Sequence, residues 1–214
     1  MKIPLNARLL ILLLIYMVGD SIGALAQPPV LPPGPGPLLT SAKAIDDLQK
    51  ARVISPGSAR SADQSISAQD FAQLVMRTVG IDVRKTLKLA TTTQESPALA
   101  ARAVKELNFS ANAKSFVDPA SPITREDAVL TAMNAAASKG LLRVGAIPSK
   151  YPPFADDAAF ATPRGRKLAH RAVFQGLIRV GPDNLFNPQK PLKYDDAAYL
   201  LDAIRLASRG PEEE

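Results

Sequence analysis

Three aspartates, Asp70, Asp127 and Asp196, each close the same kind of six-residue phrase. The phrases are Ser65-Ile66-Ser67-Ala68-Gln69-Asp70, Pro122-Ile123-Thr124-Arg125-Glu126-Asp127 and Pro191-Leu192-Lys193-Tyr194-Asp195-Asp196. Aligned carboxylates suggest acid–base chemistry, but their spacing favours a structural role. Asp70 and Asp127 stand three residues after Ser67 and Thr124. In such a capping box the hydroxyl takes a free N–H of the first helical turn, and the acid reaches back to the first donor. Lys193 occupies the cap position of the third phrase, so the box is lost there.

The cations offer different chemistry. Arg164, Lys167 and Arg171 fall at i, i+3 and i+7, giving one basic helix face with Arg166 and His170 nearby. That face is either simply solvated or a contact surface for an anionic polymer. Lys190 and Lys193 add to the basic surface, and Tyr194 either stacks on a sugar ring or covers the core. His170 is the single histidine and cysteine is absent. This excludes disulfides, thiol catalysis and cysteine-ligated zinc, and argues against a histidine metal site or a Ser-His-Asp triad. The expectation is a non-catalytic protein with no cofactor and no metal.

The elements that position these residues follow from composition and periodicity. The 214 residues are 46% hydrophobic, with 7 Phe, 4 Tyr and no Trp. A core filled mainly by Ala and Leu favours close helix packing over a β-sandwich. Each phrase opens the second helix of a helix–loop–helix copy. In the first copy Ser41 caps a helix over roughly 42–52, with Ile45, Leu48 and Val53 near one face. Phe71, Leu74, Val75 and Thr78 then recur at helical spacing until Gly80. The second copy opens at Ser96-Pro97, with Leu99, Val104 and Leu107 as its apolar face. The third opens at Thr162-Pro163, continues through Leu168, Ala172 and Val173, and stops at Gly176. Pro188 and Pro191 precede Leu192 in the register in which Pro119 and Pro122 precede Ile123.

Outside the copies, residues 1–26 read as a secretory signal. Lys2 and Arg8 precede an apolar run at 9–18, and Ala24-Leu25-Ala26 forms a small-x-small cleavage site. The run is shorter than the about 20 residues that cross a bilayer, so no transmembrane span is expected after cleavage. Residues 27–40 form a Pro/Gly-rich spacer, extended and semi-rigid, and residues 209–214 an acidic tail. Loss of Lys2, Arg8 and Asp20 with the leader lowers the formal charge from +6 to +5. A positive balance outside the cytoplasm suits an anionic wall polymer, with no nucleic-acid partner expected.

The third copy carries Phe154-Ala155-Asp156, then Gly181-Pro182-Asp183-Asn184-Leu185-Phe186-Asn187-Pro188, then its box at 192–196. It resembles an S-layer homology repeat. That family's pattern is an opening Phe-x-Asp, a helix, a Pro-Asp-Gly-x-Phe-x-Pro loop, and an Ile-Thr-Arg-Ala-Glu box. The box is matched best by Ile123-Thr124-Arg125-Glu126-Asp127. The resemblance implies an all-α fold of three helix–loop–helix repeats, 41–95, 96–150 and 151–208, in a pseudo-threefold arrangement.

It also implies that the module holds an exported protein to the wall by binding acidic, often pyruvylated, secondary cell-wall polysaccharide between repeats. The partner would be that polysaccharide or a peptidoglycan-linked polymer, and the location secreted: cell wall, cell surface or periplasm. By the resemblance, Arg125 is the principal contact, with Thr124 beside it and free helix N–H groups around it. Arg164, Lys167, Arg171, Lys193 and Tyr194 complete the candidate surface. Ala68 and Tyr194 stand where the other two copies would carry the box arginine, and the family's common tryptophan is absent. The alternative is a degenerate scaffold for protein–protein contacts in the envelope.

Overall fold

A computed structural model of the chain describes residues 40–55, 60–110, 113–142 and 152–209, all within the unit Pro32–Glu214. The expected signal peptide, the spacer up to residue 39 and the tail from 210 lie outside the described residues. Among the described residues there are seven α-helices and no strands: α1 (Ser41–Lys50), α2 (Ala68–Thr78), α3 (Val83–Thr86), α4 (Pro97–Glu106), α5 (Arg125–Ser138), α6 (Pro163–Phe174) and α7 (Tyr194–Arg209). None of them is long and apolar enough to cross a membrane.

Local chemistry accounts for most of the starts. Ser96 and Thr162 cap α4 and α6 with their hydroxyls, and Pro97 and Pro163 occupy first-turn positions where a missing N–H is harmless. Thr40, rather than Ser41, caps α1 by accepting the Lys43 N–H, which places Ser41 one residue inside the helix. The short α3 was not anticipated; Asp82 caps it by accepting from the Arg84 and Lys85 N–H groups. Gly80 and Gly176 adopt positive φ just past α2 and α6, a conformation in which a Cβ is strained.

The core is filled by small residues and leucines, as composition indicated: Ala100, Ala101, Ala103, Ala128, Ala132, Ala135, Ala169 and Ala172 are all buried. Leu107 differs from expectation. It lies just beyond the last turn of α4, is 36% exposed, and leaves the packing face to alanines and Val104.

Helices pair across the copies rather than within them. α2 packs on α4, α5 on α6, and α7 returns to α1. Each pair thus joins the second helix of one copy to the first helix of another. An apolar stripe tells a helix which face to bury, but not which partner to choose.

The three repeated phrases meet one another directly. Ile66 N–H donates to the Leu192 carbonyl, Leu192 N–H to Ile123, and Ile123 N–H to Ile66. All three side chains are fully buried. Isolated bridges between Ser65 and Lys193, Ser67 and Pro122, and Thr124 and Pro191 accompany this closed circuit. The next two donors of each helix go to a loop of another copy. Ala68 and Gln69 donate to Ser121 and Pro119, Arg125 and Glu126 to Lys190 and Pro188, and Tyr194 and Asp195 to Gln64 and Ala62. The matching prolines now have a physical reason. Pro119 and Pro188 present carbonyl acceptors and carry no N–H that would itself need a partner.

Candidate functional site

Arg125 opens α5 at the junction between the second and third phrases, and its surroundings are already saturated. Its own N–H and those of Glu126 and Asp127 donate to Lys190 O, Pro188 O and Thr124 Oγ1. The free helix donors expected beside it are therefore engaged. The residue is 9% exposed. Its guanidinium donates through Nε to Phe186 O at 2.9 Å, through Nη2 to Arg179 O at 2.9 Å, and through Nη1 to Asp196 Oδ2 at 2.5 Å. The guanidinium carbon also lies 5.2 Å from the Phe186 ring centroid, within cation–π range. Burial pushes the Asp196 carboxyl above its ordinary range, and the Arg125 charge pulls against that shift. Three of the five guanidinium N–H donors are thus engaged within the protein, and Asp196 supplies Arg125 with a counter-charge.

Neighbouring groups stiffen this junction. Glu126 is buried and accepts from Ala161 N–H at 2.8 Å, Thr162 N–H at 3.0 Å, Thr162 Oγ1 at 2.9 Å and Gln189 Nε2 at 3.0 Å. A Cβ built on Gly165 would lie 2.1 Å from Glu126 Oε1, so the close approach of α6 requires glycine there. Asp127 does not reach back to the Thr124 N–H as the capping box predicts. Ser115 stands between them: its Oγ takes the Thr124 N–H and donates to Asp127 Oδ2. Aspartate is one methylene shorter than the glutamate of a full box, and Ser115 fills the gap. Asp156 ties the opening of the third copy to its loop by accepting from the Phe186 and Asn187 N–H groups.

The junction between the third and first phrases is open. Tyr194 opens α7 there, as Arg125 opens α5, and its N–H donates to Gln64 O at 2.8 Å. Its side chain is buried, and burial raises its hydroxyl pKa above the ordinary value. Tyr194 borders a cavity of about 150 Å³, with apolar lining from Val53, Ile54, Ile66 and Leu74. Ser55, Arg60, Asp70, Gln73 and Arg77 supply its polar lining. Asp70 Oδ2 accepts from Ser67 Oγ at 2.6 Å and from Arg60 Nη2 at 2.7 Å. Arg77 is half-buried and donates through Nη1 to Val53 O at 3.3 Å. Among the described residues no carboxylate lies within ion-pair distance of Arg77.

The residues expected from sequence are thus distributed over different places. Tyr194 borders the cavity. Lys193 is beside it in sequence and pairs with Asp63 at 2.8 Å, which raises the Lys193 pKa and lowers that of Asp63. Thr124 and Arg125 are engaged in the protein interior. Arg164, Lys167 and Arg171 lie on α6, where Arg164 donates to Asn134 Oδ1 on α5 at 2.8 Å, Lys167 is exposed and Arg171 is half-buried. Arg166 and His170 both meet Asp157, and His170 stacks on Phe154 with ring centroids 4.1 Å apart.

Sequence reasoning passed over Arg60, Arg77 and Glu126. Arg77 carried a usable signal: with Asp70 and Gln73 it forms a polar strip at i, i+3 and i+7 beside the apolar face of Phe71, Leu74, Val75 and Thr78. Among the described residues no cluster of three or more His, Cys, Asp or Glu is arranged to hold a metal ion. No family model matches the chain, and neither does any curated protein.

Proposed function

We propose that this chain is an exported, non-catalytic wall-binding module of the S-layer homology type. In this reading three repeats stand in a pseudo-threefold arrangement and attach to anionic secondary cell-wall polysaccharide. The closed circuit Ile66–Leu192–Ile123 carries the proposal, because it makes the repeated phrases, rather than the helices alone, the centre of the structure. The basic balance of the chain and the signal-like first 26 residues support a wall partner. The contact surface in this reading runs past Tyr194 and Lys193, with Arg164, Lys167 and Arg171 as a second basic face. Thr124 and Arg125 hold the frame.

A second reading is favoured by one observation, the Arg125–Asp196 pair, which occupies the arginine that the resemblance assigns to the glycan. It is a scaffold that contacts envelope proteins without binding glycan. Co-sedimentation of the chain with purified wall sacculi separates the two readings. Wall binding expects the chain in the pellet, and in the supernatant once acidic polymer has been stripped from the sacculi. A chain that pellets with no preparation of sacculi ends the wall-binding reading.

A further inference from the structure

We infer that the cavity bordered by Tyr194 is a binding site for a hydroxyl-bearing monocarboxylate no larger than one sugar ring, held by Arg77 and Arg60. Neither arginine belongs to the repeated phrases, and neither stands at the position to which the resemblance assigns the contact.

The charge at the cavity calls for an anion. Arg77 is withdrawn from full solvation and, among the described residues, its side chain donates to a neutral carbonyl and meets no carboxylate. A cation partly removed from water gains from a counter-charge, and an arginine fork matches a carboxylate in two parallel bonds. Asp70 then limits how much negative charge fits. With Arg60 and Arg77 it leaves the lining one positive charge in excess. A monocarboxylate neutralises that excess, whereas a phosphate dianion would overshoot it and meet the Asp70 carboxylate.

Asp70 also explains the hydroxyl. Among the described residues its carboxylate partners, Ser67 and Arg60, both use Oδ2. Oδ1 has acceptor capacity for a ligand donor at the cavity that Asp70 lines, and the Gln73 amide, also in the lining, offers both a donor and an acceptor. Size sets the upper bound. About 150 Å³ is half of the roughly 300 Å³ at which sites for drug-sized ligands begin. Ile66 and Leu74, with the Tyr194 ring, supply apolar surface for the carbon face of a small ring. That such a ligand comes from a wall polymer rests on the reading proposed above; the chemistry of the cavity does not.

Calorimetric titration of the full chain with glucuronate, glucose and glucose 6-phosphate tests the site. Glucuronate binds, glucose does not, and the phosphate ester binds more weakly than glucuronate. Arg77→Gln and, separately, the more exposed Arg60→Gln each weaken glucuronate binding about tenfold or more, the scale of a lost charge-assisted bond. Unfolding midpoints confirm that both variants are folded, and the Arg60 variant keeps the test valid if Arg77→Gln folds poorly. Tyr194→Arg provides the sharpest discrimination. An arginine there meets Asp70 as Arg125 meets Asp196, fills the cavity and abolishes binding, whereas a box arginine acting as the contact would strengthen it.

The inference is overturned if glucuronate fails to bind at millimolar concentration, if glucose or the phosphate ester binds as well, or if folded Arg77 and Arg60 variants both bind normally. Glucuronate binding without sedimentation on sacculi removes the wall-binding reading and leaves the site. Sedimentation that is indifferent to both arginines, with no glucuronate binding, does the reverse.

Discussion

At one junction the residue that opens the helix is Arg125, and its guanidinium spans the gap to Asp196. At another it is Tyr194, and Asp70 is left to Arg60 from a loop. The backbone around the two is the same in kind: each residue donates its N–H to a loop carbonyl of another copy. The difference in side chain decides whether the junction is filled or open. Where the arginine is present, the protein uses it up; where Tyr194 stands in its place, a cavity appears with other arginines around it. Repetition of a backbone phrase thus says little about which copy keeps a site.

The largest test of this contrast is Arg125→Ala. Removal strands Asp196 and two carbonyls, Phe186 O and Arg179 O, and we expect a loss of about 3 kcal/mol, the lower end for a broken buried pair because Asp196 is partly open to water. Urea unfolding measures it, and a loss below 1 kcal/mol, a surface-pair value, would make Arg125 no more structural than a surface residue. Gly165→Ala probes the same filled junction from the α6 side. A Cβ there collides with the Glu126 carboxylate, and about 2 kcal/mol of overpacking cost is expected. An unchanged midpoint would show that Glu126 moves aside without consequence.

A smaller effect concerns pH. The folded carboxyl of Asp196 is raised above its ordinary 3.8. Between that value and the higher folded value the native state binds more protons than the unfolded chain, so ionisation costs stability as pH rises through this window. Wild type should therefore hold its largest advantage over Asp196→Asn near pH 4 and a smaller one at pH 7, read from urea midpoints at both. An advantage that grows with pH would mean the Arg125 charge outweighs burial. The smallest effect is expected from Arg77→Gln, whose long bond to Val53 O predicts a stability change within about 0.5 kcal/mol. A cost near that of Arg125→Ala would erase the distinction between the two arginines.

How much of this could be read from the chain alone depended on distance along it. Ser96-Pro97 and Thr162-Pro163 announced α4 and α6 correctly because a cap acts within three residues. Arg125 announced itself as important, but its partners lie 54, 61 and 71 residues away, beyond any local pattern. Ser115, which completes the Asp127 cap, was invisible for the same reason. The pairing of α7 with α1 could not be foreseen from amphipathic faces, since a buried stripe names no partner and several helices here offer similar small apolar ones. Arg77 is the instructive miss: its place on a polar helix strip was legible, but such a cation becomes informative only when the fold shows which groups come to meet it.

The circuit of Ile66, Leu192 and Ile123 has a further consequence for how such a chain can vary. In a solenoid each unit leans on its neighbours, so units can be added or lost at an end and stability changes by increments. A closed circuit has no end. Deleting the last unit leaves an N–H of the first and a carbonyl of the second buried without partners, and adding a fourth has nowhere to insert. The circuit therefore needs all three phrases at once, and the loss of any one of them opens it.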